Sequence, residues 1–216
     1  LLLEFKGIAF FKMVELFIQS FVIYFVVVDP LGNAPIFLSL TQSQNKKEKT
    51  QTAMEGVLIA TIILIAFSLI GNLILSYLNI SLPAFRIAGG IILFIISLEM
   101  LFNKRQQRKE TVITDANEKV SIFPLAIPIL SGPAAITSVI VIVSDIGDNI
   151  VNQLVSISAL TSVMLLTLIT FLITSQSGDF INKKIINVFS RVIAIILAGL
   201  SVQYIMDGIL ELFLKV

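Results

Sequence analysis

Cysteine and histidine are both absent from this 216-residue chain. Their absence excludes thiolate nucleophiles, disulfides, thiol- or imidazole-bound zinc and imidazole acid–base chemistry. Charge is scarce too. Asp, Glu, Lys and Arg make up 13% of residues, against about a quarter in a typical soluble domain. The net charge is +1 and the basic residues sit in short runs, so neither nucleic acid nor an acidic partner is implied. No nucleotide-binding motif, nucleophile–base pair or metal motif occurs. The sequence therefore reads as neither an enzyme nor an ATP-driven pump, with no cofactor and no resident metal.

Apolar length is what the chain has in excess. Hydrophobic residues make up 56% and mean hydropathy is +0.99. They fall in runs of roughly 18 to 25, the length an α-helix needs to cross about 30 Å of hydrocarbon. The alternating segments of a transmembrane barrel are missing, which leaves helices as the way to satisfy backbone groups in lipid. The expected fold is an all-α integral membrane protein. Its six spans cover about 14–40, 53–78, 84–102, 121–143, 151–174 and 185–214. Residues 1–12 read as an N-terminal extension before Met13, and 103–120 as a polar linker between 13–102 and 121–216. No signal peptide opens the chain, so the first span is expected to serve as insertion signal.

Basic residues assign the orientation. Lys46, Lys47, Lys49, Lys104, Arg105, Arg108, Lys109, Lys119, Lys183, Lys184 and Arg191 fall on one side. Only Lys6, Lys12, Arg86 and Lys215 fall on the other. Both termini are thus expected outside the cytoplasm of a bacterial or archaeal inner membrane, and the 103–120 linker inside. The loop after the fourth span, with Asp145 and Asp148, agrees.

The two halves resemble each other. Arg86 and Arg191 open similar apolar runs, IAGGIILF and VIAIILAG, and Gly32, Ala34 and Ile36 precede Gly132, Ala134 and Ile136 by one constant interval. A repeated unit of three spans must enter the membrane upside down the second time, a plan common in secondary transporters. The expectation is two inverted three-helix repeats.

The first span of each half carries helix breakers. VVVDPLGNAPIFLSLT places Asp29, Pro30, Gly32, Asn33 and Pro35 in an apolar stretch. Proline removes an N–H and biases its predecessor away from helix, so unwinding is expected over 29–34. FPLAIPILSGPAAITSVI repeats the theme with Pro124, Pro128, Ser131, Gly132 and Pro133. Broken helices expose backbone groups that only protein, water or a ligand can cover at membrane depth. Their N-termini favour carboxylates and their C-termini cations. Two facing breaks at mid-membrane would suit a small-molecule substrate carrying both charges. Asp29 adds a carboxylate where one costs about 2.5–3.5 kcal/mol to insert; its alternative role is a local cap. Thr137, one turn past the second break, is the expected substrate-facing hydroxyl. Asn72 and Gln203 read as interhelical hydrogen-bonding groups. Ala84, Ala88, Gly89, Gly90, Ala194, Ala198 and Gly199 read as close helix packing. Arg86, Glu99, Asp207 and Glu211 read as interfacial.

DPLGNAPIFLSLT, AFRIAGGIILFIISLEML and PLAIPILSGPAAITSVIV, in that order, resemble the MarC family of inner-membrane proteins. The resemblance runs from about Met13 onward. It implies kinship with the LysE-type exporter superfamily and transport of small neutral amino acids such as glycine and alanine, direction open. It carries site roles to Asp29, Pro30, Gly32, Asn33, Pro35, Ser131, Gly132 and Pro133. Where this chain has Ala134 the family often has glycine, which narrows the space for substrate. The alternatives are an inorganic-ion or metal exporter, and a non-transporting membrane component. Besides the substrate, the bilayer is the expected partner; a homo-oligomer is left open.

Overall fold

Proline placement and polar caps divide the chain into eight helical elements in the computed structural model, which describes residues 2–102, 119–147, 149–177 and 183–214. They are α1 (Leu2–Val28), α2 (Pro30–Leu40), α3 (Lys46–Tyr77), α4 (Leu82–Leu101), α5 (Ser121–Leu130, π-type), α6 (Pro133–Ile146), α7 (Ile150–Ser177) and α8 (Lys183–Leu214). No strand occurs among the described residues. The 103–120 linker lies outside them apart from its last two residues, as do Asp148 and Lys215. Helix α1 begins at Leu2, so the N-terminal extension continues into the first span as one helix.

Local chemistry explains the starts. Asn45 and Glu48 form a reciprocal capping box at α3, satisfying backbone N–H groups that the first turn leaves orphaned. Ser81 caps α4 one residue ahead of the Leu82–Pro83 start. Asn79 takes the left-handed conformation (φ 54°) and turns the chain from α3 into α4, a geometry asparagine tolerates.

Among the described residues, five helical stretches are long and apolar enough to cross a membrane: Phe10–Leu40, Lys46–Tyr77, Leu82–Leu101, Ile150–Gln176 and Val188–Leu214. The pair α5–α6, bent by 54°, makes a sixth if taken as one span. Large apolar side chains remain exposed along them, such as Ile62, Leu69 and Leu73 on α3 and Ile195 on α8. That surface is suited to lipid.

Lipid tails are as apolar as leucine, so contact between such helices depends on close fit. The most extensive pairing is α4 with α8. There a Cβ on Gly90 would come within 2.7 Å of the Ser201 carbonyl oxygen, and one on Gly208 within 2.7 Å of the Pro83 carbonyl oxygen. Gly89 sits against the Thr137 side chain of α6, which a Cβ there would strike. Three residues expected at helix contacts are corrected: Ala84, Ala88 and Gly199 are exposed, on the outward faces of α4 and α8. Gly208, unremarked in the sequence, takes a packing role instead. Inside, Phe37 of α2 stacks on Phe171 of α7 with centroids 4.6 Å apart. Tyr24 of α1 is hydrogen-bonded to Ser156 of α7 at 2.8 Å.

Candidate functional site

The junction of α1 and α2 is a single residue. Asp29 takes the left-handed conformation (φ 52°, ψ 65°) and is 2% exposed. Its N–H still donates to the Phe25 carbonyl (2.9 Å), and its carbonyl accepts from the Asn33 N–H (3.0 Å). Two side chains complete the exchange of partners. The Gly32 N–H donates to Asp29 Oδ1 (3.0 Å), and the Asn33 amide donates to the Val28 carbonyl (2.7 Å). Thus a diverted donor and an abandoned acceptor are both satisfied, as buried backbone requires. Pro30, at the first position of α2, has no N–H to place. The expected unwinding over 29–34 is therefore reduced to Asp29, because its carboxylate and the Asn33 amide replace the bonds that Pro30 disrupts. A Cβ on Gly32 would collide with the Asp29 carboxylate, so the glycine is what lets that carboxylate fold over the backbone. Pro35 lies inside α2, half-buried.

The second junction is built differently. Phe123 and Ile127 are extended, each just before a proline, the dihedral region that a following proline imposes. Ser131 directs both its N–H (2.9 Å) and its hydroxyl (2.8 Å) to the Ala126 carbonyl. Gly132 is extended and precedes α6 without any side-chain cap. A Cβ there would meet the Pro128 carbonyl, so this glycine serves the turn itself. Ser131 is buried, Gly132 half-buried and Pro133 exposed. Thr137 is 4% exposed and lies against Gly89. The expected site residues thus form two groups, Asp29–Pro30–Gly32–Asn33 and Ser131–Gly132, each knitted by its own hydrogen bonds. Helix α1, which ends at the first junction, packs on α6, which begins at the second.

Polar contacts at the helix ends were less visible in the sequence. Arg86 of α4, its side chain 13% exposed, pairs with Asp145 of α6 and with Glu211 of α8 (3.1 Å). Three helix ends are joined at one face. Glu55 of α3 accepts a hydrogen bond from Ser121 of α5 (2.9 Å) and another from Gln51 (2.8 Å). Asn72 makes the expected interhelical bond, to Ser144 of α6; Gln203 instead bonds Asp207 on its own helix (2.7 Å). The available signal was topological: Arg86, Asp145 and Glu211 all fall at span ends on the side of the chain termini. Among the described residues, no three acidic, His or Cys side chains are grouped as metal ligands.

The family profile described as MarC family integral membrane protein matches residues 14–213. A UPF0056 membrane protein of Methanocaldococcus jannaschii is 38% identical over 201 residues, covering 90% of this chain and 96% of its own length. A UPF0056 membrane protein of Aquifex aeolicus is 30% identical, covering 91% of this chain and 94% of its own length. YvbG of Bacillus subtilis, also a UPF0056 membrane protein, is 29% identical, with coverage of 93% and 97%. No solved structure matches.

Proposed function

The chain belongs to the MarC family of integral membrane proteins, and from that premise we propose that it is a secondary transporter of small neutral amino acids. In this reading the chain is two inverted three-helix repeats, with the junctions at Asp29 and at Ser131–Gly132 facing one another near mid-membrane. The observation that carries it is the complementarity of the junctions. One holds a buried carboxylate, Asp29. The other opens α6 with no side-chain cap, beside the buried Ala134 and Ala135. An ammonium suits the first and a carboxylate suits the second, because helix N-termini attract anions. Asp29, Pro30, Gly32, Asn33 and Pro35 form one half of this site, and Ser131, Gly132, Pro133 and Thr137 the other. The bulk of a Cβ at Ala134 favours a small side chain on the substrate.

Support for the inverted repeat comes from the pairing of helices. Helix α4 pairs with α8, α3 with α7, α1 with α7 as α5 does with α3, α2 with α7 as α6 does with α3, and α4 with α6 as α2 does with α8. Exchanging the two halves leaves these pairings in place, as a repeat would, while α1 with α6 and α1 with α8 have no such counterpart among the principal contacts.

Flux in proteoliposomes tests the function. Glycine and L-alanine are expected to accumulate or leave against their gradients when a proton or sodium gradient is imposed, while lysine and glutamate are not. If no neutral amino acid crosses faster than in empty liposomes, the transport reading fails. Orientation has its own test. A C-terminal alkaline phosphatase fusion is expected to be active and a C-terminal fluorescent-protein fusion dark, since the charge bias puts that end outside. The reverse pair of results overturns the orientation without touching the site.

A further inference from the structure

A cavity of about 720 Å³ lies between α1, α6 and α7, within the roughly 300–1,000 Å³ usual for small-ligand sites. Its polar lining is Lys12, Gln19, Ser20, Asp145, Asn149 and Asn152. Lys12 and Asp145, the latter paired with Arg86, sum to no net charge in the lining, and the rest of the polar wall is three amides and a hydroxyl. Such a lining favours a hydrogen-bonding solute of no net charge over an inorganic ion, which is concentrated by charges of one sign. Three buried hydroxyls, those of Ser20, Ser138 and Tyr204, find no hydrogen-bond partner among the described residues, and of the three Ser20 lines the cavity. Thr161, Ser162 and Thr167 each donate to the carbonyl four residues back, the usual resort of a hydroxyl in a helix. Ser20 is 1% exposed and makes no such bond among the described residues. A buried polar group left in that state is an expense that a solute or water in the cavity removes.

The position of the cavity matters as much as its lining. Its deepest residue on α1, Ile23, is less than two turns from Asp29. On α6, Ile142 is less than two turns from Thr137. Just past Ile23, the Tyr24–Ser156 hydrogen bond ties α1 to α7. The cavity therefore starts at the end of the bundle that bears Lys12 and Asp145 and stops short of the two junctions.

We propose that this cavity is the access vestibule on the non-cytoplasmic side, and that it holds a zwitterionic solute of no net charge with the Ser20 hydroxyl as a direct hydrogen-bond partner. This assignment rests on the transport reading above and on the orientation given by the basic residues. It adds a site, Ser20 with Gln19, Asn149 and Asn152, distinct from the two junctions.

The chain contains no cysteine, so Ser20→Cys introduces a single thiol into a thiol-free background at almost constant volume. The probe is a membrane-impermeant methanethiosulfonate applied to intact cells. Val22→Cys serves as reference, because Val22 is exposed on the apolar surface of α1, where lipid suppresses thiolate formation. Ser20→Cys is expected to react from outside at least tenfold faster than Val22→Cys. Millimolar glycine or L-alanine, whichever the Ser20→Cys protein transports, is expected to slow that reaction at least threefold. No preferential reaction from outside, or reaction only in inside-out vesicles, overturns the vestibule. Reaction without protection by a solute that the same protein carries overturns the binding role of Ser20. If the protein carries neither amino acid, it is the transport reading that fails, and labelling still decides whether the cavity opens outward. Should Ser20→Cys protein not accumulate, Asn152→Cys, on the α7 wall, puts the same question with the same outcomes.

Discussion

Asp29→Asn is expected to abolish gradient-driven accumulation while leaving the protein folded and able to exchange substrate across the membrane. Asn in place of Asp separates a local role of this side chain from the one proposed for it in transport. Its local role is to accept the Gly32 N–H through Oδ1 at 3.0 Å from a left-handed backbone. An asparagine carbonyl can accept the same bond, and asparagine is among the residues most tolerant of that backbone. In the transport reading proposed above, its other role is to meet the substrate's ammonium or a coupling cation with its charge. A carboxylate 2% exposed in an apolar span is costly to place there, so its charge matters to what occupies the site. Asparagine carries no charge. The expected loss is tenfold or more in the steady-state concentration ratio, read in proteoliposomes with imposed proton and sodium gradients, with counterflow of preloaded substrate retained. Asp29→Ala removes the cap as well, at about 0.5–2 kcal/mol, and is expected to lower thermal stability where Asp29→Asn does not. Wild-type accumulation by Asp29→Asn, with unchanged pH and sodium dependence, would reduce Asp29 to a cap.

Gly90→Leu is expected to be the most damaging change to stability. A Cβ at this position would sit 2.7 Å from the Ser201 carbonyl oxygen and 3.1 Å from the Ile205 backbone nitrogen. Both are backbone atoms of α8, so relief requires the helices to separate rather than a side chain to turn. Overpacking of this kind costs about 1–3 kcal/mol, occasionally more, and each kcal/mol lowers Tm by about 2–4 °C for a chain of this length. The α4–α8 contact is the most extensive in the bundle, so the loss is not offset elsewhere. Gly199→Leu is the matched control on α8. Nothing lies within 4 Å of a Cβ there, and its effect is expected to stay within about 0.5 kcal/mol. Thermal unfolding of purified protein in detergent, followed by size-exclusion chromatography, compares the two. Equal Tm values would mean that α4 and α8 do not meet through Gly90.

Which residues interrupt the helices was legible in the sequence, because the signal is chemical and local. Pro30, Pro124, Pro128 and Pro133 cannot donate a hydrogen bond wherever the rest of the chain lies. The extent of the first interruption was not legible. Proline chemistry alone predicts several unwound residues, whereas the Asp29 carboxylate and the Asn33 amide confine the break to one. That outcome depends on two side chains reaching backbone groups that only the folded junction brings within range.

By itself, the sequence determined that this is a helical membrane protein, how long its apolar stretches are, where its polar residues interrupt them and which family it belongs to. Run length, composition and motif order are properties of the chain alone, and hydrocarbon imposes its thickness on any helix that crosses it. Tertiary structure decided which face of each helix meets another. In a soluble protein an apolar stripe marks that face; here every face is apolar, so Gly90 and Gly199 look alike until α8 is in place. It also decided the partners of Arg86, since Asp145 and Glu211 belong to helices distant in the sequence. The cavity beside Ser20 is of the same kind. A void belongs to the three helices that enclose it and leaves no mark on any one of them.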